Sequence, residues 1–239
     1  MNHEDSGTGF FGKLASHGDF LNRRLSPTFV RAWDDWLQAG LRHSRERLGK
    51  NWQKHYLCSP IWHFALAGGV CGESDWAGVL MPSVDRVGRY FPLTLACAGP
   101  HRPVIERLRR DADWYAELER LALSSLQQGF SLNVFDRALS RLPVPSRYRA
   151  LAPQAVAMEG PCALWFETAG QAPMKDVAVH WANQLARLTE GRSLAGHSVF
   201  WSQGSSDMPA TLLLCQGLPT AQAFVEMLAG RSGSVAGPV

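Results

Sequence analysis

Apolar residues recur along this chain at two spacings. Ser26-Pro27 opens the clearest helical one. Serine can accept a bond from an orphan N–H, and proline suits the first helical position. Phe29, Trp33, Trp36, Leu37, Leu41 and Leu48 follow at helical spacing, predicting a helix to about residue 48. Residues 9–14 predict a first strand, closed by a turn at Gly18-Asp19. Short apolar runs at 61–66, 76–81 and 91–98, bounded by Gly or Pro, predict three more strands. Gly68-Gly69 marks a turn between the first two of these. Pro103 opens a second amphipathic pattern. Ile105, Leu108, Ala112, Tyr115, Leu118 and Ala122 share one face, predicting a long helix toward Gln128. A shorter helix is predicted over 133–141.

The run Leu142-Pro143-Val144-Pro145-Ser146 cannot continue a helix, because proline lacks the N–H and fixes φ. It predicts a sub-domain boundary near 142–146 inside one unit covering 9–230. Residues 1–8 and 231–239 are expected to be flexible ends. Beyond the break, 162–167, 198–201 and 211–215 predict strands. Residues 177–188 and 220–229 predict helices, the last closed by Gly230. Strands in consecutive runs argue against a strict βαβ series. The expected fold is α/β of an α+β-like kind: a mixed, mainly antiparallel sheet with helices on both faces, a three-layer sandwich.

Composition narrows the classes. The 239 residues are 46% hydrophobic and 19% charged, with nine Trp and eleven Phe. A net charge of +3 is mild, and acidic residues punctuate the basic runs, so nucleic-acid binding is not expected. Five cysteines at 58, 71, 97, 162 and 215 form no CxxC pair. Cys97, Cys162 and Cys215 sit in apolar runs and read as small buried hydrophobes of a reducing compartment. No signal-peptide pattern or membrane-length apolar stretch stands in the chain, so a cytoplasmic location is expected.

Motifs of catalysis are weak. Gly7-Thr8-Gly9-Phe10-Phe11-Gly12 matches G-x-G-x-x-G, but no strand precedes it and no helix start follows it. Ser83 lacks the glycines of a nucleophile elbow, which leaves a cryptic hydrolase centred on it a distant alternative. The histidines show no metal spacing, and His63 reads as a hydrogen-bonded strand residue. No enzyme activity, metal or cofactor is expected. Polar residues do gather in unusual places. Lys13, Asp19 and Arg23 crowd the first turn. Asp34 stands between Trp33 and Trp36, whose shared face suits core packing. Ser83, Asp85, Arg86 and Arg89 precede a strand. An Asp85–Arg89 pair would fix that loop. These eight residues are candidates for shaping loops or for contacting a partner. Lys13, Arg23, Arg86 and Arg89 could alternatively converge on one anion or phospho-ligand.

Two blocks carry a resemblance. One is Gly9-Phe10-Phe11-Gly12-Lys13-Leu14 with Gly18-Asp19-Phe20, Arg23, Phe29 and Trp33-Asp34-Asp35-Trp36-Leu37. The other is Pro60-Ile61-Trp62-His63-Phe64, Gly78-Val79-Leu80 and Pro82-Ser83-Val84-Asp85-Arg86-Val87-Gly88-Arg89-Tyr90-Phe91-Pro92-Leu93. Together they resemble the TagF (ImpM) family over about residues 9–98. Ala15 stands where that family suggests Pro, and His63 where it suggests Arg. The resemblance implies a cytoplasmic accessory protein of the bacterial type VI secretion system. It implies a post-translational regulator, chiefly a repressor, of assembly or firing. The partners implied are a forkhead-associated scaffold and components of the apparatus. It supplies no catalytic residues.

Overall fold

The computed structural model describes residues 7–99, 104–144, 163–168, 174–189 and 194–231. The ends at 1–6 and 232–239, Pro103, Cys162, and Pro145-Ser146 of the expected break lie outside the described residues. The N-terminal part contains β1 (Gly9–Gly12), β2 (Leu21–Arg23), α1 (Pro27–Leu48), α2 (Trp52–Cys58), β3 (Trp62–Leu66), β4 (Asp75–Met81) and β5 (Leu93–Gly99). Then come α3 (Val104–Arg110), α4 (Ala112–Ser124), α5 (Leu132–Arg141), β6 (Ala163–Thr168), α6 (Met174–Thr189), β7 (His197–Ser202), β8 (Ala210–Gln216) and α7 (Ala221–Ala229). A single 3₁₀ turn at Gly49–Asn51 links α1 to α2.

All eight strands join one sheet in the order β2-β1-β5-β4-β3-β7-β8-β6, and every ladder among the described residues is antiparallel. The β3–β7 ladder joins the strands on either side of residues 142–146. Both faces are covered, which is why the strands read as continuous apolar runs. Trp62, Phe64, Trp76 and Phe200 point to one face with Trp33, Trp36 and Phe224 of α1 and α7. Their neighbours Ala65, Ala77, Val79 and Trp201 point to the other face, under α3, α4, α5 and α6. This period-two exchange produces three layers.

Local chemistry sets the boundaries. Ser26 caps α1, its hydroxyl accepting from the Phe29 N–H at 3.3 Å, with Pro27 in the first turn. The first strand ends at Gly12, short of the expected residue 14. Gly12 has φ +126, and a side chain there would meet the Pro92 carbonyl oxygen at 2.1 Å. The third of the predicted middle strands starts at Leu93, not at residue 91, after Pro92, which has no N–H for the ladder. The long helix predicted beyond Pro103 is two helices. Asp111 sits at φ −100, ψ 14 and bends the chain between α3 and α4, while the Tyr115 N–H still reaches its carbonyl at 3.0 Å. Strand β2 and helix α2 have no counterpart in the sequence pattern.

A buried carboxylate that ties two loops together

The segment after β4 forms a tight turn. Val84 bridges Tyr90, the Asp85 N–H donates to the Arg89 carbonyl at 3.0 Å, and the Gly88 N–H donates to the Asp85 carbonyl at 3.0 Å. Gly88 takes φ +85, a left-handed position that glycine occupies without a Cβ clash. Asp85, 4% exposed, folds its carboxylate back into this turn. Oδ1 accepts from the Val87 and Arg89 N–H groups, both at 2.9 Å. Oδ2 accepts from Lys13 Nζ at 2.5 Å and Arg89 Nε at 2.7 Å.

Those four donors set the state of Asp85. Burial works against the charged form, but the Lys13 and Arg89 bonds and the two N–H groups outweigh it. Its pKa is held well below the usual carboxylate range. Lys13 reaches it from the end of β1 with only 4% exposure, its ammonium also lying 4.8 Å from the centre of the Phe20 ring. The Ser83 hydroxyl donates to the Lys13 carbonyl at 2.8 Å. Tyr56 of α2 seals the base: its hydroxyl donates to the Ser83 carbonyl at 2.9 Å and accepts from the Ser83 N–H at 3.0 Å. Burial pushes the Tyr56 pKa up, so the hydroxyl stays a donor. The Arg86 N–H donates to the His17 carbonyl at 3.1 Å, and Arg89 Nη2 donates to the Gly18 carbonyl. Residues 13–20 and 83–91 are thus one unit.

Of the eight candidates, Lys13, Ser83, Asp85 and Arg89 meet in this network, and Arg86 joins through its backbone. The anion on which Lys13 and Arg89 converge is the chain's own Asp85. The Ser83 hydroxyl is committed to a main-chain carbonyl and stands in no hydrogen bond with an imidazole. Asp19 and Arg23 are exposed. Asp34 lies apart on α1, where its carboxylate accepts from Gln38 at 2.7 Å and partial burial raises its pKa. Trp33 and Trp36 are core residues, their indole N–H groups donating to Thr94 and to the Pro219 carbonyl. His63 Nε2 lies 3.1 Å from Glu119 of α4.

Two contributors carry no visible signal in the sequence. Tyr56 belongs to the unpredicted α2. Arg24, just after β2, has φ 58, donates to the Thr8 carbonyl at 2.9 Å and pairs with Asp136 of α5 at 2.6 Å. Its left-handed backbone is the feature a sequence pattern does not display. Burial pushes the Cys71 and Cys97 thiols up to about 12, which keeps them protonated and inert. Among the described residues no three His, Cys, Asp or Glu side chains gather as a metal site, and no helix is long and apolar enough to cross a membrane.

The loop network leaves its tip outside. Val87 is 64% exposed, with the exposed Arg86 and Arg89 in the same turn, and Phe20 of the facing loop is 50% exposed. This chain matches the family model described as TagF N-terminal domain, Type VI secretion system-associated, over residues 9–142, a span holding the whole network. It is also similar to the crystal structure of PA0076 from Pseudomonas aeruginosa PAO1, at 37% identity, 94% coverage of each chain and a TM-score of 0.73. No curated protein matches it. A chain that carries this domain over more than half its length, and keeps its most distinctive residues in one buried network, belongs to the type VI secretion system-associated TagF family.

Proposed function

We propose that this protein is a non-enzymatic regulator, a repressor, of type VI secretion assembly or firing, and that it acts by contact with protein partners in the cytoplasm. A forkhead-associated scaffold or a component of the apparatus is the partner. The observation that carries this reading is the use of Asp85. Its acceptor positions are filled by Lys13, Arg89 and two N–H groups of its own turn. Such a carboxylate shapes a loop and has no free lone pair suited to chemistry. What this loop offers outward is Val87 and two arginines, and the loop tied to it offers Phe20. A rigid patch of apolar and Arg side chains is the composition of interface hot spots.

Co-purification with the forkhead-associated scaffold tests the reading, comparing wild type with Arg86→Glu and Val87→Asp. Both side chains are exposed, so both variants should fold as wild type does. Binding is expected to fall about tenfold or more for each. Folded variants that bind as well as wild type would remove this loop from the interface.

A further inference from the structure

Cations are unevenly committed over this molecule. On α3 and α4 they are paired: Arg109 and Arg110 reach Glu106 at 3.0 and 2.9 Å, and Arg120 reaches Glu117 at 2.6 Å. The end of α1 and the start of α2 differ. Five Lys or Arg and one Glu stand between residues 42 and 54, a local charge of +4, whereas the whole chain carries +3, so the remaining residues sum to −1. Arg42, Arg45, Arg47, Lys50 and Lys54 are all exposed, and among the described residues none of them has a carboxylate within 4.0 Å. The acid of the segment, Glu46, lies 4.0 Å from His43.

This basic segment is packed against the Asp85 turn. Arg45 lies over the Trp52 ring, 4.5 Å from its centre. Trp52 and Tyr56 of α2 stack with centroids 5.0 Å apart, and Tyr90 meets both edge-on at 5.3 and 5.5 Å. Tyr90 closes the turn through its bridge to Val84. One aromatic cluster therefore joins the end of α1 and all of α2 to the turn that carries the exposed Arg86 and Val87. Lys54 and Leu57 stand three apart on α2, so they are neighbours on its outer side, and Leu57 is 51% exposed.

The stability of the fold accounts for only part of this charge. Arg45 and Arg47 complement the C-terminal end of α1. Lys54 sits in the first turn of α2, where the helix dipole opposes a cation, and Arg42 lies before the last turn of α1. Like charges gathered without acids repel one another, and an anionic partner relieves that repulsion. We propose that this face docks an acidic segment of a protein partner, with carboxylates meeting Arg42, Arg45, Lys54 and Arg86 and apolar side chains lying on Leu57 and Val87. The inference rests on the reading that the protein acts through protein contacts, and it adds the chemistry of the contact. Leu57 and Val87 favour a polypeptide over a nucleic acid, whose phosphates offer them nothing. A bilayer would need a free apolar helix face, but Phe29, Trp33, Leu37 and Leu41 of α1 and Trp52 and Tyr56 of α2 are buried in the core.

Fluorescence anisotropy with the full chain tests this. The probe is a labelled peptide of Glu with interspersed Leu, about twelve residues long and about 40 Å when extended. The same peptide with Gln for Glu, a single-stranded DNA of similar length and vesicles rich in phosphatidylserine are the comparators. A Kd of about 100 μM or tighter is expected at low salt, weakening about tenfold or more between about 0.05 and about 0.3 M ionic strength. Lys54→Glu and Arg42→Glu should each weaken the peptide about tenfold. Arg120→Glu makes the same change in net charge at an exposed position under the opposite face of the sheet, and should weaken it less than about twofold. All three sites are exposed, so the melts should match wild type. Equal binding of the Gln peptide overturns the proposal. So does an equal loss in Arg120→Glu and Lys54→Glu, which would make net charge the cause and not this face. DNA or vesicles bound as tightly as the peptide overturn it in favour of another class of partner. The peptide measurement uses no secretion component, so its failure is separate from a failure of the wild type to co-purify with the scaffold.

Discussion

Two buried polar clusters lie on this sheet and handle their polar atoms in opposite ways. Around Asp85, both carboxylate oxygens, the Lys13 ammonium and the Ser83 hydroxyl are hydrogen-bonded inside the protein. Around His63, a ring nitrogen and the Arg107 Nη2 are buried with no hydrogen-bond partner. A saturated network rigidifies, because every donor has one best geometry and moving any member breaks several bonds. An unsaturated one has fewer bonds to break when a member moves. The first cluster is therefore built to hold a surface in place, and the second is held by packing more than by bonds.

The sharpest way to break this contrast is to remove the Asp85 charge. Asp85→Asn should lower the melting temperature more than any substitution in either cluster's other members, because it strands the buried Lys13 ammonium. The effect should depend on pH with a definite sign. The folded pKa of Asp85 lies below the unfolded value of about 3.9, so ionisation favours the folded state. That contribution is complete above about pH 4 and is lost as pH falls below it. The melting difference between wild type and Asp85→Asn should thus be flat from neutral pH to about 5 and shrink in stronger acid. A difference that grows on acidification would contradict the assignment.

Tyr56→Phe comes next. One hydroxyl serves both the N–H and the carbonyl of Ser83; its loss leaves the buried N–H without a partner, while the carbonyl keeps the Phe91 N–H at 3.1 Å. A cost of about 2–3 kcal/mol is expected in chemical denaturation. Ser83→Ala removes one bond and leaves the Lys13 carbonyl short, for about 1–2 kcal/mol. If either substitution proved neutral, the network would not be a rigid unit.

Legibility in the sequence divides along the same line. Helix α1 is readable at both ends, because its start is marked by Ser26-Pro27 and its apolar stripe runs to Leu41 and resumes at Leu48. The three layers follow from runs buried on both faces. Lys13, Ser83, Asp85 and Arg89 stand out as polar residues in odd places, but Lys13 and Asp85 are 72 positions apart, and no local pattern pairs them. Helix α2 offers only Trp52 and Tyr56 at a four-residue step, too short a run to show a period, so Tyr56 does not stand out. The cluster around His63 is hidden for a different reason. The apolar stripe from Ile105 to Ala122 passes through Asp111 without interruption, and only the bent backbone there separates α3 from α4.

The smallest expected effect belongs to the cluster around His63 and is the most discriminating. His63→Phe replaces a buried imidazole with a ring of similar shape and deletes the unpartnered Nδ1 together with the Glu119 bond. Glu119 is partly exposed and can turn to solvent, so its lost partner costs little. Removing a buried polar atom that had no partner is favourable, and the two changes oppose each other. Stability should therefore stay within about 1 kcal/mol of wild type, in contrast with Tyr56→Phe, which also exchanges one polar ring for an apolar one. A loss as large as that of Tyr56→Phe would mean that His63 is bonded as fully as Ser83, and the distinction between the two clusters would fall.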